Sequence, residues 1–160
     1  VNVRPGVSND ASRFADSLRI RPAALRDLES IVRIERLSAP APWSPRRFEA
    51  ELGLPQARVR VAGDEDGLFG FLVAWRVEDE LDIHNLAVHP DFRRRGIAAR
   101  LLGGIIREEG GSGARRFYLE VREGNAPAIA LYRKTGFAPV RVRPGYYENG
   151  ENALCLRLEL

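Results

Sequence analysis

The spacing of apolar residues changes period across one short basic stretch, and that change constrains the fold more than any other feature of the chain. In Glu80 to Val88 the apolar residues Leu81 and Ile83 alternate as on a strand. From Ala98 to Glu109, Ala98, Leu101, Leu102, Ile105 and Ile106 recur at helical spacing, and Gly110 and Gly111 end the run. Arg93-Arg94-Arg95-Gly96 lies between the two. A second strand, Arg116 to Arg122, sets Phe117, Leu119 and Val121 against Tyr118, Glu120 and Arg122. A second helix follows over Ala126 to Thr135, with Asn125 as N-cap and Gly136 as its stop.

The remaining segments complete the order. Leu18 to Arg21 reads as a short strand, Ala24 to Leu37 as an amphipathic helix, and Pro40 and Pro42 break it. Another helix starts at Trp43-Ser44-Pro45, with Ser44 as N-cap, Pro45 at the first helical position and Trp43 stapled to Phe48. Strands are predicted over Ala57 to Ala62 and Phe69 to Val77, and two more over Ala138 to Val142 and Ala153 to Leu160. The predicted order, β-α-α-β-β-β-α-β-α-β-β, describes a mixed sheet with helices on its faces. A chain of 160 residues suits one domain, taken as 18–160, after a flexible polar extension over 1–17.

Composition narrows the chemistry. The single cysteine, Cys155, excludes an intrachain disulfide, and with only His84 and His89 beside it no zinc site of the usual ligand count can form. Cys155 reads as structural, and neither histidine is given a catalytic role. A net charge of +3 is too small to argue for nucleic acid. No apolar run is long enough to span a membrane, and the start lacks the apolar core of a signal peptide, so a cytoplasmic location without membrane or nucleic-acid partners is expected.

Three local signals suggest a site. Leu81 and Ile83 are out of step with Leu86 and Val88; one extra residue near His84 or Asn85 would reconcile them, as would a strand buried on both faces. A bulge would leave main-chain N–H groups able to bind a developing oxyanion. At Arg93 to Ala98, a glycine and basic residues before a helix N-terminus make a pyrophosphate cradle, the alternative being a solvated basic turn. It is neither a Walker motif nor a dinucleotide fingerprint. Glu120, on the strand face opposite Leu119, can meet Tyr132 from the following helix as base and proton donor.

Taken in order, Leu86-Ala87-Val88, Pro90 and Arg93 to Ala98, matching [Q/R]-x-x-G-x-[G/A], followed by Asn125 through Tyr132 to Gly136-Phe137, resemble the GNAT acetyltransferase superfamily over about Leu18 to Leu160. Pro42-Trp43-Ser44 with Phe48, and Leu119-Glu120-Val121-Arg122 with Asn125, resemble its RimI type, the ribosomal-protein alanine N-acetyltransferases. Gly145-Tyr146-Tyr147 and Asn149 to Ala153 resemble a segment of N-terminal acetyltransferases, with Asn149 and Asn152 where acids often stand. Ala98 replaces a commoner glycine.

The resemblance implies the acyl-CoA N-acyltransferase fold: α/β, one mixed central sheet of about seven strands and about four helices. It implies acetyl-CoA as co-substrate and no metal. Arg93, Arg94, Arg95, Gly96, Ile97, Ala98 and Ala99 would take the pyrophosphate. Leu86, Ala87 and Val88, with Asn125, would take pantetheine, and the Val88 amide would polarise the thioester. Glu120, directly or through water, would take a proton from the amine, and Tyr132 would protonate the thiolate. Trp43, Tyr146 and Tyr147 would line the acceptor groove, although the two tyrosines also fit a turn-packing role. The acceptor would be the N-terminal α-amine of a protein, a small-subunit ribosomal protein beginning with alanine. Acetylation of a small amine or a lysine side chain, or a non-catalytic acyl-CoA-binding module, are the other readings open at this level.

Overall fold

The computed structural model describes residues 7–160, with side chains from Asp10 onward. The elements are α1 (Val7–Ser17), β1 (Arg19–Pro22), a 3-10 turn (Leu25–Asp27) leading into α2 (Leu28–Ser38), α3 (Pro45–Gly53), β2 (Ala57–Asp64), β3 (Gly67–Val77) and β4 (Glu80–Val88). A second 3-10 turn (Pro90–Phe92) precedes α4 (Ile97–Gly111), and then come β5 (Arg116–Arg122), α5 (Ala126–Thr135), β6 (Ala138–Arg143) and β7 (Ala153–Glu159). The extension expected over 1–17 is helical from Val7 onward, and its Phe14 packs on the core; the part of that expectation on residues 1–6 lies outside the described residues.

One sheet of seven strands runs in the order β1-β2-β3-β4-β5-β7-β6. Every neighbouring pair is antiparallel except β4–β5. A parallel pair needs a crossover over one face, and α4 is that crossover. Leu101, Leu102 and Ile105 of α4 pack there with Leu72, Leu81, Phe117 and Leu156. Ile31 and Ile34 of α2 and Phe48 of α3 cover the other face, against Val59, Val61, Phe71 and Val73. The apolar stripes of the helices thus bury both faces of the sheet.

Local sequence accounts for the helix starts. The Ser44 side chain accepts from the Arg47 N–H at 3.2 Å, Pro45 stands at the first turn, and Trp43 and Phe48 meet at 5.3 Å between ring centroids. At the entrance to α2, Asp27 accepts from the Ala24 N–H at 2.8 Å and from both terminal nitrogens of Arg21 at 2.7 and 2.9 Å, fastening β1 to the helix start.

Those hydrogen bonds from Arg21 hold the Asp27 carboxyl below its ordinary value of 3.8, against the opposing effect of burial. A carboxyl depressed in the folded state stabilises the fold above its unfolded value of about 3.9 and loses that contribution as pH falls through the folded value. Asp27→Asn is therefore expected to cost about 1–2 kcal/mol at pH 7. The gap between parent and variant in chemical denaturation should shrink steadily below pH 4, and a constant gap would refute the ion-pair account.

Candidate functional site

The site forms where the parallel pair ends. β4 and β5 pair only from Glu80↔Arg116 to Ile83↔Leu119. Beyond that point β4 stays with β3 as far as Val88, and β5 stays with β7 as far as Arg122, so the sheet splits into two halves. The register between β3 and β4 jumps from Ala74↔Ile83 to Val73↔Asn85, which makes His84 the extra residue. The expected bulge is present, and it returns Leu86 and Val88 to the core face alongside Leu81 and Ile83.

The ladder phase shows what the bulge exposes. The His89 N–H donates to the Phe69 carbonyl at 2.7 Å. Bonded and non-bonded residues alternate in an antiparallel pair. Ala87 therefore turns its main-chain groups to β3, while Leu86 and Val88 turn theirs toward the edge that β5 has left. The Ser38 hydroxyl donates to the Val88 carbonyl at 3.2 Å from that side. The bulge is tied from above, because the Asn85 amide donates to buried Glu35 at 3.0 Å and the Trp43 N–H donates to the same carboxylate at 3.2 Å.

Two helix N-termini flank the split, and they differ. α5 is capped, with the Asn125 side chain accepting from the Ala128 N–H at 3.3 Å. α4 begins at Gly96 with φ 75, has no side-chain cap and carries no acid in its first turn. Arg94 is also left-handed, with φ 62, and Arg93 to Gly96 are exposed. The N–H groups of the first turn therefore face solvent beside three arginines, the arrangement that binds an anion. Ile97 buries its side chain in the core and can offer only its main chain, whereas Ala98 is half-buried and Ala99 exposed. At Gly70 a Cβ would come within 3.0 Å of the Ala87 carbonyl and 3.1 Å of Ile97, so glycine there lets the α4 start lie close on the sheet.

Two open clefts meet at Glu120. One, of ≈ 310 Å³, runs into the split past Leu86, Asn125, Tyr132 and Tyr147. The other, of ≈ 690 Å³, crosses the sheet past Trp75, Asp82, Tyr118, Arg141, Arg143 and Cys155. His84, Leu119 and Glu120 line both. Glu120 Oε1 accepts from Arg143 Nε at 2.8 Å and from Cys155 Sγ at 3.7 Å. Tyr146 is exposed and its phenol is raised chiefly by the nearby Glu120 side chain, and Tyr147 is raised mainly by burial. Tyr132 is buried, and desolvation pushes its phenol up to about 12, with Tyr147 adding to the effect. It is neutral at physiological pH and available as a donor.

Glu120 and Tyr132 both line the narrower cleft. Trp43 stands apart from both clefts, fitted between Phe48 and the Arg47 guanidinium, which lies 3.4 Å from its ring centroid. Arg143, which sequence reasoning passed over, and Cys155, which it read as structural, both contact Glu120. Once β5 and β7 pair, Glu120 and Cys155 are direct partners. Glu35 carried a signal too, since it falls on the same helical stripe as Ile31 and Val32. The asparagines that replace acids hold the tyrosine loop. Asn152 accepts from the Gly145 N–H and donates to Glu123, both at 3.0 Å, and Asn149 accepts from the Glu151 N–H at 3.0 Å. Among the described residues, no group of three or more His, Cys, Asp or Glu could hold a metal ion, and no helix is long and apolar enough to cross a membrane.

Residues 28–137 match the model of the acetyltransferase (GNAT) family. The chain is 35% identical over 137 residues to a ribosomal protein bS18-alanine N-acetyltransferase of Salmonella typhimurium, covering 84% of this chain and 92% of that protein. It is 30% identical over 139 residues to the enzyme of that name from Haemophilus ducreyi, covering 84% and 95%. The crystal structure of the ribosomal-protein-S18-alanine N-acetyltransferase from Escherichia coli superposes with a TM-score of 0.84 at 31% identity, covering 89% of this chain and 93% of that one.

Nothing lies within 4 Å of a Cβ built at Gly96, so a side chain has room there and meets only the strain of its left-handed backbone. Gly96→Ala is expected to fold and to keep most of its affinity for coenzyme A. Gly96→Glu, which adds negative charge at the helix start, should lose about tenfold or more of that affinity. Titration calorimetry separates the two, and equal binding by both variants would remove the phosphate site from α4.

Proposed function

The chain belongs to the acetyltransferase (GNAT) family and is an N-acetyltransferase that uses acetyl-CoA, and from that premise we propose that its acceptor is the N-terminal α-amine of a protein, a small-subunit ribosomal protein of the bS18 kind beginning with alanine. Relatives at 30–35% identity, matched over nearly their whole length, carry that activity in their names. The observation that carries the reading is the meeting of the two clefts at Glu120. The wider one is an open groove across the sheet, suited to the end of a polypeptide rather than to an enclosed small amine.

The residues present fit acetyl-CoA: an uncapped, acid-free helix start for the pyrophosphate and an unpaired strand edge for pantetheine. The co-substrate supplies an activated acetyl thioester. The amides from Arg94 to Ala99 hold the phosphates, with the side chains of Arg93, Arg94 and Arg95 adding charge. Leu86 and Val88 offer their outward main-chain groups to pantetheine, and Asn125 borders the same cleft. The Val88 N–H polarises the acyl carbonyl. Glu120 takes up the proton of the incoming ammonium, directly or across a bridging water, because only the neutral amine attacks. Tyr132 donates to the departing sulfur. Tyr147 borders the narrower cleft with Tyr132, Tyr146 packs against Arg143 beside the acceptor groove, and Trp43 contributes through the loop that its N–H ties to Glu35.

Two measurements test the reading. Glu120→Gln and Tyr132→Phe are each expected to lower kcat about 10²-fold while coenzyme A still binds; parent-like rates in both would remove their assigned roles. In an acceptor panel, peptides beginning with alanine should be acetylated in preference to the same peptides with a blocked N-terminus and a free lysine, and to polyamines. Turnover of the small amines with none of the peptides would overturn the proposed acceptor.

A further inference from the structure

α1 takes no part in the proposed chemistry, yet it is fastened to the element that carries the phosphate site. Phe14 lies 5.6 Å from Phe69 and 6.3 Å from Phe92 between ring centroids, and those two rings stack at 4.1 Å. The Arg95 guanidinium sits over Phe14 at 5.0 Å and over Phe92 at 5.2 Å. On the far side of Gly96, Arg100 donates to the Ala15 carbonyl at 2.8 Å and to the Leu18 carbonyl at 3.3 Å, closing the last turn of α1. α1 therefore touches the basic turn before Gly96, at Phe92 and Arg95, and again one helical turn after it.

Elsewhere α1 stands off the body. An open groove of ≈ 780 Å³ lies between it and the β2–β3 turn, lined by Arg13, Arg19, Arg21 and Arg95 and by Asp10, Asp64, Glu65 and Asp66. The lining is mixed in charge and selects no ligand, so what this region offers is the attachment itself. The turn it reaches has two left-handed residues and an exposed backbone, and for Arg94 that conformation costs about 1–2 kcal/mol. Such a turn needs an outside support to keep its amides converged.

We infer that α1 braces the phosphate-binding turn, with Phe14 as the positioning residue that holds Arg95 and Phe92 in place before the coenzyme arrives. This rests on the proposed coenzyme site at the start of α4. A side chain and a loop already fixed lose less freedom on binding, so the brace raises affinity without touching the ligand. Binding free energies are reciprocal, so coenzyme A must in turn hold α1 more tightly to the body.

The test uses the full chain, with coenzyme A as the calorimetric probe. Phe14→Leu keeps an apolar side chain and Phe14→Ala removes it; both lose the ring, and both are expected to raise Kd about two- to fivefold. KM for acetyl-CoA should rise with it, with kcat at saturation unchanged, and Phe14→Tyr, which keeps the ring, should bind as the parent does. In the parent, amide exchange in α1 should slow when coenzyme A is added. Parent-like Kd in the Leu and Ala variants, or α1 exchange indifferent to coenzyme A, overturns the brace while leaving the coenzyme site standing, provided Gly96→Glu still loses affinity. If Gly96→Glu also binds as the parent does, the coenzyme site itself falls and the brace with it.

Discussion

The site depends on a strand that loses its hydrogen-bonding neighbour on one side. Past Ile83, β4 is paired to β3 alone, because β5 has turned away with β7. Main-chain donors and acceptors that are neither paired nor hydrated are expensive, so such an edge persists only where water or a ligand satisfies it. The extra residue, His84, sets the direction of that edge. Without it, Leu86 and Val88 would rotate out of the core, and the core would oppose the change. Apolar packing on the α4 face thus enforces the bulge, and the bulge presents main-chain groups to the split.

Glu35 secures the same geometry from the other face. It is buried at 1% exposure and holds both Asn85, on the bulge, and the Trp43 N–H, at the entrance to α3. A buried carboxylate is tolerated only with such partners, and removing one would leave the other polar group costly. One side chain therefore couples the strand edge to the loop beside the split. Trp43 belongs to this support and not to the groove wall.

Much of this was legible in the sequence because it is local. The Ser44 cap, the Asn125 cap, Gly136 at the end of α5 and the phase slip between Ile83 and Leu86 all follow from spacing and residue type. What escaped depends on distant pairing. Cys155 and Arg143 reach Glu120 only through the register of β5 with β7 and of β6 with β7, and β6 is an exposed edge whose alternation carries little signal. α1 escaped for a different reason. Val7, Ala11, Phe14 and Leu18 do recur at helical spacing, but Phe14 is the one large apolar side chain in Val7–Ser17 and the residues between are small or polar, so the stripe is thin. The two polar residues that read as departures, Asn149 and Asn152, needed the folded loop to show that they serve as its internal hydrogen bonds.

The Arg143–Glu120 pair bears on which amine the groove can use. Both side chains are partly exposed, so the pair is weak and an incoming group can displace it. An acceptor that arrives as a cation must also enter beside Arg143, which repels it. A peptide α-amine has a reference pKa near 8 and a lysine near 10.4, so at pH 7 roughly a tenth of the former but less than about a thousandth of the latter is neutral. The neutral form meets no repulsion from Arg143 and is the form that attacks. Lysine, which is almost wholly charged at pH 7, is thus the more disfavoured by a guanidinium beside the base, and the neutral Tyr132 phenol, which lines the narrower of the two clefts, adds no charge to offset that effect.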